Sequence, residues 1–214
     1  MSAPLDWRAW HRDYDDPGSP VSHRLAEVRA RLATVLGAGS GPVRLLSLCA
    51  GDARDTIPVV AASRREVEVC LVELDVELAD SARRAAGAAG ITVDVRAGDA
   101  ADPATYADRL PVDALMLVGV LGNVSDEDAR TTVAAAASMV ASGGTVIWSR
   151  SSRFRAPPTH GRADPAEWVR DLFEAAGFET ADYLRSDEAW RLGVSVLRRP
   201  SSAPLPESLF SFVR

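Results

Sequence analysis

The amino-acid sequence predicts an α/β fold built on a mostly parallel sheet, and three observations lead there. The run Leu45-Leu46-Ser47-Leu48-Cys49 is almost continuously apolar, which is what a strand buried on both faces of a parallel sheet shows, whereas a half-solvated strand alternates. From Val43 onward, strand-length apolar runs alternate with helix-length amphipathic segments, the rhythm of βαβ units. The first run leaves through the small-residue turn Ala50-Gly51-Asp52-Ala53 towards a helix start at Asp55-Thr56. Turns of this kind, at the carboxyl end of a strand, are where open α/β sheets bind ligands.

The elements follow in order. Trp7, Trp10, His11 and Tyr14 crowd the first helical-looking turns, and Asp15-Asp16-Pro17-Gly18 makes a turn. Ser19-Pro20 supplies a cap and a first helical residue. Val21, Leu25, Val28, Leu32 and Val35 then recur at helical spacing, so this helix should pack an apolar face on the sheet. Residues 1–42 are thus expected to form a helical preface to one body, residues 43–214. The aromatic residues would either cover a site or simply pack the preface onto that body.

A second strand over Val67–Val72 ends at Glu73, and a helix over Val76–Ala89 is closed by Gly90. Ile91–Arg96 reads as the third strand, followed by Gly98-Asp99-Ala100, and Asp102-Pro103 opens a short helix through Leu110. Val112–Val118 is the fourth strand, leading into the segment from Gly119 to Val124. Ser125 with Asp128 caps a helix over Asp126–Val140, and Thr145–Ser149 is the fifth strand. A loop holding Arg150, Arg153, Arg155, His160 and Arg162 comes next. Its four guanidinium groups would clamp a carboxylate or phosphate, or else stand in solvent. Asp164-Pro165 opens a helix that Gly177 closes, and Phe178–Arg185 and Trp190–Arg198 are the last strands, with an antiparallel pair among them. A Pro- and Ser-rich tail ends in Leu209-Phe210-Ser211-Phe212-Val213, expected to dock on the body, with a dimer contact as the alternative.

Composition narrows the function. A chain of 214 residues, 47% hydrophobic and 25% charged, has the balance of one soluble globular domain. The net charge of −6 argues against general nucleic-acid binding, which needs a basic field. Cys49 and Cys70 fall in expected buried strands, as free thiols in a reducing cytosol would, and no metal-ligand spacing is present. Neither a secretory pattern nor a membrane-length apolar run occurs, so a cytoplasmic monomer or homodimer is expected.

The turn at Gly51 also bears on the ligand. A dinucleotide site wants G-x-G-x-x-G so that amides can approach a pyrophosphate. Here one glycine is flanked by Asp52 and Asp55, which would repel a pyrophosphate and attract a cation. Glu73 follows Gly51 by 73 − 51 = 22 residues, near the spacing of a ribose-binding acid. A carboxylate there can accept hydrogen bonds from both ribose hydroxyls. Asp75, its neighbour, suits a helix cap better.

On these residues the chain resembles class I S-adenosylmethionine-dependent methyltransferases. The usual first motif has three closely spaced glycines and an acidic residue where this chain has Ser47; Cys49, Ala50 and Ala53 depart from it. The resemblance implies a Rossmann-like, doubly wound, mostly parallel seven-stranded sheet with helices on both faces and an antiparallel strand near one edge. It implies S-adenosyl-L-methionine as cofactor, with Gly51, Asp52, Ala53, Glu73, Asp99, Ala100 and Gly119 as the cofactor-binding residues. Asp99 would accept from the adenine amino group, and the next amide would reach a ring nitrogen. The implied reaction is direct displacement of the sulfonium methyl by a nucleophile, here on a small-molecule acceptor, with no nucleic acid or membrane partner. Catalysis of that kind is mainly orientation. Candidate catalytic residues are His11 and His160, whose imidazoles titrate near neutrality, together with Tyr14 and Asn123. Asn123 would orient a nucleophile or cap the next helix; it also opens a glycosylation sequon, Asn123-Val124-Ser125. Two rival classes stand beside this reading, a cofactor-binding module without chemistry and a nucleotide-dependent oxidoreductase, the latter disfavoured by Asp52, Asp55 and the missing glycines.

Overall fold

Strands β1 (Val43–Leu48), β2 (Val67–Glu73), β3 (Asp94–Ala97), β4 (Val112–Leu117), β5 (Val140–Ser151), β6 (Phe178–Arg185) and β7 (Trp190–Leu197) join in one sheet, in the order β3-β2-β1-β4-β5-β7-β6. The structure, a computed structural model, describes residues 12–151 and 163–213. Trp7, Trp10, His11, Arg153, Arg155, His160 and Arg162 lie outside the described residues. The strands from β3 to β5 pair in parallel, whereas β7 runs against both of its neighbours, so the sheet is mixed. Helices α1 (Pro20–Gly37), α2 (Ile57–Ala61), α3 (Val76–Ala88), α4 (Asp126–Met139) and α5 (Pro165–Ala175) complete the fold.

Each face of the sheet has its own core. Leu45 belongs to the core that holds Val28 and Leu32 of α1, Ile57 of α2 and Ala82 of α3. Leu46, the next residue, belongs to the core that holds Ala136 of α4 and Phe173 of α5. Consecutive strand residues point to opposite faces, so a helical layer on each side requires the continuous apolarity of β1. No helix of the described residues is long and apolar enough to cross a membrane.

The expected caps form. The Ser19 hydroxyl accepts from Ser22 N at 3.1 Å, Ser125 from Asp128 N at 3.1 Å, and Asp164 from Ala166 N at 2.9 Å. Three segments differ from expectation. Strand β3 begins at Asp94 rather than Ile91, because Ile91 N donates to Ala86 O and still belongs to the end of α3. Residues 102–110 hold two 3-10 turns, Pro103–Thr105 and Ala107–Arg109, instead of one helix; between them the fully buried Tyr106 donates its hydroxyl to Ala100 O at 3.2 Å. Strand β5 starts directly after α4 and runs on to Ser151, so Arg150 is a strand residue. Its buried guanidinium donates to Leu121 O, lies 3.4 Å from Asp126 and stacks on Trp168. Arg150 therefore ties the turn after β4 to β5 and is no part of a substrate clamp.

At the antiparallel edge, Trp148 is fully buried, stacks on Phe173 with centroids 5.4 Å apart, and donates its indole N–H to Ser195 Oγ at 3.1 Å. Its partner across the ladder is Gly193, where an added Cβ would stand 2.2 Å from the indole ring. The tail beyond β7 docks as expected, with Leu209 and Phe210 buried.

Candidate active site

The site grows from the turn after β1. Cys49, Gly51 and Ala53 all have positive φ, at 55°, 59° and 55°. These alternating left-handed residues turn the chain back so that Ala53 N donates to Ala50 O at 2.9 Å. A left-handed residue with a side chain costs roughly 1–2 kcal/mol relative to glycine, so Cys49 and Ala53 hold their shape against an intrinsic preference. The backbone makes this turn with glycine at only one of its three left-handed positions.

Glu73 fastens this turn to the end of β2. Its Oε2 accepts from Gly51 N and its Oε1 from Asp75 N, both at 2.8 Å. Asp75 caps α3 by accepting from Glu77 N and Leu78 N. At the end of β3, Asp99 Oδ1 accepts from Ala101 N at 2.8 Å. At the end of β4, Gly119 has φ 80° and donates its N–H to Ser149 Oγ at 3.0 Å. Glu73, Asp99 and Gly119, together with Gly51, Asp52 and Ala100, line one cavity of about 600 Å³ at the carboxyl ends of the parallel strands. Ala53, by contrast, is fully buried behind the turn and shapes it from within.

The electrostatics of this cavity differ in detail from the two free carboxylates expected at the turn. Asp52 is held bidentate by its neighbour Arg54, with Nε at 2.9 and 2.8 Å from the two oxygens. Asp55 is half-buried and accepts from Thr56 Oγ1 at 3.0 Å, and desolvation pushes its carboxyl above the ordinary range, towards the neutral form. Even without Asp55, four carboxyl groups (Asp52, Glu73, Asp75 and Asp99) face two guanidinium groups (Arg24 and Arg54) across the cavity. Such a balance favours a cation over a pyrophosphate. Beside Glu73 and Asp99, burial pushes the Cys49 thiol well up, so it stays a thiol and not a nucleophile.

Of the two candidate catalytic residues within the described chain, Tyr14 lines the cavity and Asn123 does not. The Tyr14 hydroxyl accepts from Arg24 Nη2 at 2.9 Å and its ring lies 4.8 Å under Arg54. Burial raises its phenol pKa, against the pull of Arg24. Asn123 stands back from the lining: its Nδ2 donates to Gly119 O at 2.6 Å, and its backbone carbonyl accepts from Val213 N at 2.8 Å. Its amide braces the turn that carries Gly119. His11 and His160 lie outside the described residues.

Several lining residues escaped the sequence reading. Arg24 sits one helical turn before Val28, on the flank of the apolar stripe, which is a signal that spacing alone could have given. Phe210 and Phe212 alternate in the manner of a strand, and both reach the cavity. Arg54 had no sequence signal beyond its place in the turn.

Among solved structures, the chain is similar to an O-methyltransferase family protein from Burkholderia thailandensis, at 18% identity and a TM-score of 0.67, covering 90% of this chain and 60% of that one. An O-methyltransferase family 2 protein from Planctomyces limnophilus, solved in complex with apigenin, shares 22% identity at a TM-score of 0.62, covering 82% of this chain and 59% of that one. A Thermus thermophilus 16S rRNA N2 G1207 methyltransferase, solved with AdoMet and guanosine, shares 18% at a TM-score of 0.58, covering 84% of this chain and 43% of that one. The chain thus spans less than two thirds of the length of each of these three. No family model and no curated protein matches it. What these similarities establish is a shared methyltransferase fold, carried by proteins as different as one solved with apigenin and one named for 16S rRNA.

Proposed function

We propose that this protein is an S-adenosylmethionine-dependent methyltransferase acting on a small-molecule acceptor. The observation that supports it best is the convergence of Gly51, Glu73 and Asp99, from the ends of three adjacent parallel strands, on one predominantly acidic cavity. Glu73 and Asp99 are carboxylates with lone pairs left over after their amide bonds, suited to ribose hydroxyls and to an adenine amino group respectively. Gly51, Asp52 and Gly119 would lie along the rest of the cofactor, and Ala100 would offer its backbone to the base. When bound, the cofactor supplies an electrophilic methyl group on a sulfonium.

The chain's own contribution is to bind, orient and dry the site. Tyr14, Arg24 and Arg54 form the polar end of the cavity, where an acceptor would be positioned. Asp55 lines the same end, where its carboxyl accepts from Thr56 Oγ1. The preface covers this end through Tyr14 and α1. Two features support a small acceptor over a nucleic acid: the net charge of −6, and guanidinium groups turned inward to Asp52 and Tyr14.

Calorimetric titration tests the reading. S-adenosylmethionine or its demethylated product should bind saturably, with no comparable binding of a nicotinamide dinucleotide; the reverse pattern would overturn the assignment. Cofactor binding without methyl release to any of a panel of phenols, carboxylates and amines would favour a non-catalytic module on the same fold.

A further inference from the structure

The segment after β7 crosses back over the carboxyl ends of the strands and is pinned along its length. Leu209 N donates to Ala101 O at 2.8 Å, and Leu209 O accepts from Thr132 Oγ1 at 3.0 Å. Ser211 N donates to Asp128 Oδ2 at 3.2 Å, and Val213 N to Asn123 O at 2.8 Å. Phe212 and Val124 form an antiparallel bridge. These bonds fix the strap between the turn that follows β3 and the start of α4, beside Asp99 and Ala100.

Alternation along an extended segment decides which side chains turn inward. Ser211 is exposed while Phe210 is 5% exposed, and the two phenylalanine rings lie 5.3 Å apart, tilted by 46°. Phe210, the more buried, is a packing residue of the core formed with α4 and α5. Phe212 is half-buried and lines the cavity. A second apolar surface stands in the same cavity: Leu74, directly after Glu73, is 69% exposed. Exposed apolar surface of this size beside fixed hydrogen-bonding groups marks a place for a flat apolar ligand group.

We infer that Phe212, delivered by the strap, is a wall of the subsite for an aromatic base, and that the strap belongs to the ligand site rather than only to the packing. The inference rests on the cofactor reading above, which assigns the base to the Asp99 and Ala100 end of the cavity. An aromatic ring gives a base a polarisable flat surface that needs no donor or acceptor matching. Asp99 would read the edge of the base, and Phe212 would hold its face.

The test is titration of the native chain and of Phe212→Ala, Phe212→Leu and Phe212→Tyr with S-adenosylhomocysteine, alongside urea denaturation of each. Phe212→Ala should bind at least tenfold more weakly, Phe212→Leu should also weaken, and Phe212→Tyr should bind as the native chain does. Phe212→Leu keeps the apolar bulk, so it remains a folded and decisive variant even if alanine loosens the strap. Native-like affinity in folded Phe212→Leu and Phe212→Ala would overturn this inference while leaving the cofactor reading intact. Failure of the native chain to bind would overturn both together.

Discussion

Replacing Glu73 by glutamine separates the two jobs this side chain performs. The carboxylate receives two backbone N–H groups, from Gly51 and Asp75, each at 2.8 Å. Hydrogen bonds to a charged group contribute about 1.5–3 kcal/mol each, and neutral ones about 0.5–1.5 kcal/mol. The glutamine side chain has the same shape but only one oxygen. Whichever way the amide is turned, its NH₂ faces one of the two N–H groups, so one bond is lost and the other becomes neutral. The expected loss is about 2–4 kcal/mol, which leaves a protein of ordinary stability folded. A ribose bound at the same carboxylate would lose contacts in addition, so affinity for S-adenosylhomocysteine should fall at least tenfold, or about 1.4 kcal/mol. Urea denaturation reads the first effect and calorimetric titration the second. A destabilised Glu73→Gln variant with native affinity would make Glu73 a structural tie between β1 and β2 and remove its ribose role. A variant unchanged in both would refute the reasoning from the hydrogen bonds themselves.

Three further outcomes are expected. Gly51→Ala places a side chain at φ 59° and should lower stability by about 1–2 kcal/mol in urea denaturation. Gly193→Ala should lower it by about 1–3 kcal/mol or more, because the new methyl stands 2.2 Å from the Trp148 ring; near-UV circular dichroism should show the indole displaced. Asp55 gives a pH signature. Its folded-state pKa is raised by burial, so the folded protein holds the proton more tightly than the unfolded chain. The stability it contributes is complete below the ordinary carboxylate range, near about 3.9, and is lost as pH climbs through the raised value. Asp55→Asn should abolish that decline and be the more stable protein at neutral pH, as measured by urea denaturation across a pH series; a parallel pair of curves would count against it.

The strand ends were the legible part of the site. Gly51, Glu73 and Asp99 sit where chain spacing placed them, because strand length and turn length fix the position of a carboxyl-end residue to within a residue or two. The conformation at Cys49 and Ala53 was not legible: a glycine advertises a positive φ, whereas a cysteine or alanine forced into one leaves no mark in the sequence. Nor could the sequence show that Arg54 folds back on Asp52, or that Arg150 turns inward to Leu121 O and Asp126, since a guanidinium on a long stem reaches partners that only tertiary structure selects. Asn123 read as either an active-site amide or a cap; the structure gives it a third task, bracing Gly119.

The pairing of Trp148 with Gly193 has a consequence beyond packing. Strand β7 stands between β6 and the rest of the sheet, and it runs antiparallel to both neighbours. A slide of β7 by one residue would set Leu192 or Val194 against the indole in place of Gly193. It would also send every β7 side chain to the opposite face. The glycine is therefore a notch and the tryptophan the key that fits it, so that a single alignment of three strands is admitted and the neighbouring alignments are shut out by volume alone.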